Sequence, residues 1–423
     1  MVLLFAVTLI CVWLVYELYW KRRNLPPGPT PLPFLGNLPI LQKYQPGHEA
    51  FEVLRKEYGP IFTFWFGNQP MVMVCDYNLM KDLFVKDSEH FSERACLGSL
   101  GVIMRGGSYG IIDTNGDKWR IHRRFALHVL RDLGVGGNIA EQHILFETEV
   151  LLKSIGASRG ELMDIKKHLR KAIASTINLF LFGYRFSEDK TDELEKIMST
   201  LDDLKKAQSG FFALLVSIFP VLMNLPWFKN LSDKLLKTFD FFSNFTLGQI
   251  DQYRKEIDYE SDEVRSYVEA YLKEQRKREL EEDFESFSNR QLVNVCFDLW
   301  FAGFDTTFTT IQWALIYLAN NPDVQEKMRE ELATVIGKDQ MVTMAEKTKL
   351  PYCQAVLNSE ELIPFSLGKR QCLGEGLARM ELYIFLINMV HKYKISGKDL
   401  PLIADSIFMM TNVPVEKLTF TKV

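Results

Sequence analysis

The chain has 423 residues, 47% of them hydrophobic, and its 50 Lys and Arg against 54 Asp and Glu leave a formal net charge of -4. That length gives a prior of two or three domains, and that balance gives no support to nucleic-acid binding, so any charged partner must be argued from local patches. Six cysteines, Cys11, Cys75, Cys96, Cys296, Cys353 and Cys372, form no Cys-x-x-Cys pair, and the seven histidines form no His-Glu-x-x-His, so neither a disulfide scaffold nor a zinc site is suggested. No Gly-x-Gly-x-x-Gly follows a strand pattern, so a nicotinamide or flavin nucleotide is not expected on this chain.

Residues Val2 to Trp20 are apolar except for Thr8, Tyr16, Glu17 and Tyr19, and Lys21-Arg22-Arg23 follow at once. This is long enough to span a bilayer, with no small-residue cleavage site after it. The reading is an uncleaved signal anchor over 1–23, with the basic triplet and everything after it on the cytoplasmic side; a cleaved signal peptide is the alternative. Pro26-Pro27-Gly28-Pro29-Thr30-Pro31 reads as a stiff extended linker that cannot continue the helix, within a proline-rich hinge and entry over 24–48. Tyr58-Gly59-Pro60 leads into Ile61 to Phe66, Gly67-Asn68 and Met71 to Val74, two β-rich runs around a turn. Asp76 then starts a helix carrying Leu79, Leu83 and Phe84, and from Phe125 to about Pro351 the pattern is overwhelmingly helical.

A second apolar run, Phe211 to Phe228, is interrupted by Pro220 and Pro226, which favours two short helices and a loop over a bilayer crossing. Gln252 to Arg290 is dense in both signs of charge, with Tyr267, Val268, Tyr271 and Leu272 at helical spacing, and reads as a solvated amphipathic helix. Past His391, Leu400-Pro401-Leu402 and Val415 to Thr421 suggest short strands.

Three motifs carry chemistry. Phe365-Ser366-Leu367-Gly368-Lys369-Arg370-Gln371-Cys372-Leu373-Gly374 sets one cysteine before an amphipathic stretch in which Leu377, Met380, Ile384 and Ile387 repeat at helical spacing. Gly368 and Gly374 lack the β-carbon that would hold backbone away from a flat macrocycle, and Arg370 offers a fixed positive fork to a propionate. Cys372 then lies at a helix mouth whose dipole favours a thiolate, the form that ligates haem iron. Asn289 to Asn320 reads as one long helix, opened by Ser288 and Gln291 in capping-box spacing and closed by Asn321-Pro322. In its middle, Ala302-Gly303-Phe304-Asp305-Thr306-Thr307 is a weak point of the kind that marks a kink or a ligand. Trp119 and Arg123, four residues apart, share one face of a third helix.

Together these motifs resemble the cytochrome P-450 family through most of the chain. The resemblance implies a mainly α fold with small β-sheets, here incomplete and preceded by an N-terminal membrane anchor helix, with residues 49–423 forming one haem-thiolate monooxygenase domain. It implies haem (iron protoporphyrin IX) ligated by Cys372, with Trp119, Arg123 and Arg370 at the propionates, and Phe365, Gly368, Gly374, Ala302 and Gly303 around the macrocycle. Thr306 and Asp305 would manage oxygen and protons, and Phe304 and Ala302 would face an apolar small-molecule substrate. NADPH would act only through NADPH-cytochrome P-450 reductase, docked on a basic patch of Arg120, Arg124 and Lys369. The implied location is the endoplasmic reticulum membrane, with the domain facing the cytoplasm and the Phe211 to Phe228 region dipping into lipid.

The resemblance fails in one place. Leu350 to Asn358 looks like the family's approach to a helix carrying Glu-x-x-Arg, yet only Ser359 to Pro364 intervene before Phe365. A deletion junction near 358–365 would remove that helix and its arginine-locked partner segment, because Glu52-x-x-Arg55 and Glu326-x-x-Arg329 match the spacing in the wrong positions. The competing expectation is therefore a catalytically impaired or non-catalytic membrane-anchored isoform.

Overall fold

The computed structural model describes residues 1–44, 48–94, 100–208, 215–216, 219–337, 340–357, 363–401, 406–407, 410–411 and 417–423. Its axis is the helix Asn289–Asn320, 32 residues and so roughly 48 Å long. Ser288 caps it, accepting from the Gln291 amide N–H at 3.3 Å. The expected capping box is only half formed, because the Gln291 side chain turns away to bond both the N–H and the C=O of Gly110, at 3.0 Å each. Asn321 ends the helix and Pro322 starts the next, Pro322–Val335, since proline has no amide hydrogen to continue the ladder but fits a first turn.

Around this axis pack the helices Lys166–Phe182, Pro226–Glu256 and Glu375–Lys392. Trp300, Phe182, Phe186, Tyr267, Tyr271, Ile384 and Phe385 are fully enclosed in the core these helices share with their neighbours. Each such side chain contributes about 1.5–3 kcal/mol of burial, which outweighs the weak helix propensity of the aromatic and β-branched residues.

The β content is small, as expected. Ile61–Phe66 pairs antiparallel with Gln69–Val74, with Phe64 opposite Met71. Gly67, at φ +60, supplies the left-handed position their turn needs. Tyr393–Ser396 and Leu162–Met163 flank Leu418–Lys422 in a three-stranded sheet. Of the strand suggestions past His391, Leu402 and Val415 lie outside the described residues.

The reading of Gln252 to Arg290 as a solvated helix is corrected. The segment is the end of Pro226–Glu256 followed by a separate helix, Tyr267–Leu280. Six successive residues of the second helix, Tyr267 to Leu272, are buried. Arg265 neutralises the one carboxylate among them, Glu269, at 3.1 Å. Tyr267 and Tyr271 then pack with Phe125, and Tyr271 with Phe287. A third of the Phe211 to Phe228 region, 211–214 and 217–218, lies outside the described residues. Beyond it, Pro220 opens a short 3-10 turn and Pro226 opens the long helix, and Val221 and Trp227 project from them 70% and 88% exposed.

At the N-terminus, Val2–Leu18 is helical, and the stretch Leu4–Arg22, with mean hydropathy 1.5, is long and apolar enough to cross a membrane and buries none of itself in the fold. The hinge that follows is fastened to the first strand. Thr63 N–H donates to Pro27 O at 2.8 Å, its hydroxyl donates to Pro26 O at 2.8 Å, and a Cβ on Gly28 would lie 2.1 Å from Thr63 O.

Candidate functional site

The loop before the helix Glu375–Lys392 is shaped by two left-handed residues, Ser366 at φ 63 and Gly368 at φ 77. Gly368 is required there, because a Cβ would lie 1.8 Å from Phe84 O. Cys372 N–H donates back to Phe365 O at 2.9 Å, closing the loop so that the cysteine side chain stays exposed just before the Gly374 N-cap. Desolvation by the loop raises the thiol above its ordinary pKa, while the Gly374 backbone and Arg123 pull it down. A Cβ on Gly374 would meet nothing within 4 Å, so that side of the loop is open. Phe365 lies under the Arg379 guanidinium, 4.7 Å from its ring centroid.

The helix Gly116–Asp132 carries Trp119 and Arg123 to this loop. Arg123 donates to Gln371 O, next to Cys372. Arg370 lies 3.9 Å from the centroid of the Trp119 ring and is tied down by Ser92 O at 2.6 Å, Thr114 O at 2.8 Å and Asn115 Oδ1 at 2.7 Å. Two buried donors remain unpartnered, Trp119 Nε1 and Arg370 Nη1.

A third arginine, Arg94, joins the group, and no local motif points to it. Arg94 donates its backbone N–H to Asn115 Oδ1 at 2.9 Å and its side chain to Ile112 O at 3.1 Å. Burial lowers the pKa of Arg370 to about 10, with Arg94 and Arg123 pushing in the same direction. Burial also lowers that of Arg123, where Cys372 opposes and Arg94 assists. Asn115 is the hub: its side chain bonds Arg94 and Arg370 rather than capping its own helix. An Asn-Gly pair before a helix signals a turn or cap, but nothing local reveals these distant partners.

On the long helix, Ala302, Thr306 and Thr310 form an exposed line at four-residue spacing while most of the neighbouring turns are buried. The Thr306 hydroxyl donates to Ala302 O at 2.7 Å, and that of Thr310 to Thr306 O at 2.8 Å. Asp305 is ion-paired with Lys205 of the helix Thr191–Gln208. The helix runs unbroken, so the weak point is no helix break. The space that Gly303 leaves is met by Ile177 of a neighbouring helix, 3.1 Å from where a Cβ would lie. Phe304 is corrected: it is buried, stacking on Phe308 at 5.5 Å and tilted against Trp300 at 5.1 Å, on a face other than that of Ala302 and Thr306.

Thr307, buried beside Thr306, faces Glu381 of the cysteine-side helix, whose carboxyl is pushed well above the usual range by complete burial. This buried carboxyl lies between the helix bearing Thr306 and the helix that follows Cys372. Arg120 and Arg124 are exposed, the first paired with Asp117 at 3.0 Å, and Lys369 pairs with Glu89 at 3.4 Å. Neither Glu-x-x-Arg match makes a distant lock: Glu52 pairs with Lys56 at 2.8 Å, and Glu326 with Arg329 at 2.6 Å within one turn.

The sequence is similar to cytochrome P450 2H1 of Gallus gallus, 28% identical over an alignment of 483 positions that covers 96% of each chain. It is also similar to cytochrome P450 2J3 of Rattus norvegicus, 30% identical over 88% of this chain and 86% of the relative. Cytochrome P450 2J2 of Homo sapiens is 28% identical over 89% and 87%. The family description "Cytochrome P450" matches residues 26–359 and 357–417. With nearly the whole chain matched after the apolar helix, and a cysteine, a tryptophan and three arginines gathered from distant positions, the chain belongs to the cytochrome P450 family, which implies haem and haem-thiolate monooxygenase chemistry.

Proposed function

We propose that this chain is a haem-dependent monooxygenase that inserts one oxygen atom of O2 into an apolar organic substrate, a lipid or a xenobiotic, with electrons from NADPH through a reductase. The observation that carries this reading is the set of two unpartnered buried donors, Trp119 Nε1 and Arg370 Nη1, among three arginines beside Cys372. A buried donor left unmade costs about 1–3 kcal/mol, and adjacent like charges add to that cost, so the cluster calls for an anionic acceptor. Haem fits: its propionates are such acceptors, and the exposed Cys372 supplies the thiolate.

When bound, haem supplies the activation of O2, which a thiolate ligand favours by pushing electron density toward it. Arg123, Arg370, Trp119 and the missed Arg94 would anchor the propionates, with Phe365, Gly368 and Gly374 shaping the loop and Ala302 and Gly303 the facing helix. Thr306 keeps its hydroxyl hydrogen on Ala302 O and so presents lone pairs that accept a hydrogen bond at Oγ1, while Asp305 supplies a nearby carboxylate steadied by Lys205. The exposed Arg120 and Arg124, with Lys369, offer a basic face to an acidic reductase. The N-terminal helix is read as the anchor in the endoplasmic reticulum membrane, with Val221 and Trp227 as a shallower second contact and the domain facing the cytoplasm. The test is reductase-supported NADPH consumption coupled to hydroxylated product from apolar substrates; consumption without product in every case would count against the monooxygenase reading.

A second reading, a catalytically impaired isoform, rests on a specific observation. The family matches in two parts that meet at 357–359, and the alignment of 483 positions is longer than the chain of 423. This supports a missing segment between Asn358 and Phe365, of which 358–362 lie outside the described residues. The link present stretches at most about 25 Å, too short for another helix and its strands. Haem per chain, compared between this chain and one with a family-typical Glu-x-x-Arg segment inserted after Asn358, separates the readings. A large rise on insertion supports impairment, and equal occupancy contradicts it.

A further inference from the structure

Where the apolar N-terminal helix meets the body, a cleft of about 200 Å³ is lined by Leu18, Tyr19, Arg22, Arg23, Leu25 and Trp65, among others. We propose that it binds the phosphate of an anionic phospholipid from the leaflet at which that helix ends, a proposal that rests on the anchor reading above.

The first reason is depth. The cleft is lined by Leu18, which ends the α-helix, and by Arg22, which ends the stretch able to cross a membrane, so it lies level with the headgroups. The second is uncompensated charge. Lys21 is neutralised by Glu17 at 3.0 Å, but among the described residues no carboxylate forms an ion pair with Arg22 or Arg23. Zwitterionic headgroups carry their own cation and gain little from two guanidiniums, whereas a net negative headgroup gains from both.

Preorganisation is the third. Arg22 Nη2 donates to Gly28 O at 2.9 Å and Nη1 to Thr30 Oγ1 at 3.1 Å, which fixes its fork against the hinge. That hinge is itself bonded to the first strand through Thr63, so the wall of the cleft is rigid. Arg23 lies over the Trp20 ring, 4.8 Å from its centroid. Leu18 and Leu25 give an apolar floor suited to the glycerol and first acyl carbons below the phosphate.

The full chain is reconstituted in phosphatidylcholine vesicles holding a minor share of phosphatidylserine. After mild extraction, the lipids that stay bound are counted by native mass spectrometry, and flotation of the same vesicles reports anchoring. Phosphatidylserine should be retained roughly 25-fold above its share of the bilayer, since each of the two arginines at an anionic surface is worth a factor of about five. Arg23→Gln, which removes no hydrogen bond from the hinge, should lower that preference several-fold, and Arg22→Gln with Arg23→Gln should bring it near parity while both variants still float. Retention in bilayer proportion by the wild type, or an undiminished preference in both variants, would each overturn the site while leaving the anchor intact. A wild type that does not float overturns the anchor reading and the site with it.

Discussion

The Arg370 guanidinium, 3.9 Å from the centroid of the Trp119 ring, joins the loop that presents Cys372 to the helix that presents Arg123. A lysine cannot reproduce its three directed bonds to Ser92, Thr114 and Asn115. Arg370→Lys should therefore destabilise the chain by about 1–3 kcal/mol, read in denaturant, and lower haem retention further. Unchanged stability and unchanged haem content would remove Arg370 from the anchoring set.

Gly368 and Gly374 should part company. A Cβ at Gly368 would meet Phe84 O at 1.8 Å in a left-handed backbone, so Gly368→Ala should cost about 1–3 kcal/mol and open the loop to protease. At Gly374 a Cβ meets nothing, so Gly374→Ala should leave stability within about 0.5 kcal/mol while reducing haem content. A destabilised Gly374→Ala variant would show that the open side is not reserved for a ligand.

Acid should weaken the packing around His122. Burial depresses this imidazole to about 4, against about 6.5 unfolded, while its Nε2 lies 2.9 Å from Ser286 O and its ring stacks on Tyr271. The group is neutral when folded and protonates on unfolding. Its contribution, at most ~3 kcal/mol, is present above the unfolded value and is lost as pH falls from about 6.5 toward 4. The raised carboxyls of Glu147, Asp298 and Glu381 titrate with the opposite sign, so the readout is a difference. His122→Phe should have a flatter thermal-stability profile than the wild type across that window. Parallel profiles would show that His122 is not the titrating group.

What could be read from the sequence was local. Asp76 caps its helix, accepting from Leu79 N–H at 2.8 Å, and Ser288 and Asn321 bound the long helix, because caps and prolines act within a few residues. The Cys372 loop is also contiguous, so its glycines and arginine were legible. Phe304 was misplaced because the long helix is apolar nearly all round, and periodicity alone cannot say which face meets which neighbour. Tyr267–Leu280 was misread because its charges conceal a buried first turn that only Ser266, Arg265 and the distant Phe125 make possible. Arg94 and Asn115 were invisible because their partners lie far along the chain. The same holds for Gly303, whose missing side chain is answered by Ile177, a neighbour that no local pattern reveals.

The proposed function stands on Cys372 as the thiolate ligand of a bound haem. The direct measurement is the reduced, carbon-monoxide-bound absorption spectrum of the haem-loaded chain beside that of Cys372→Ser. A serine hydroxyl is neither as polarisable nor as easily ionised as a thiol, so the variant should lose the thiolate-type band and shift in position. An identical spectrum in both would contradict the assignment and the function built on it.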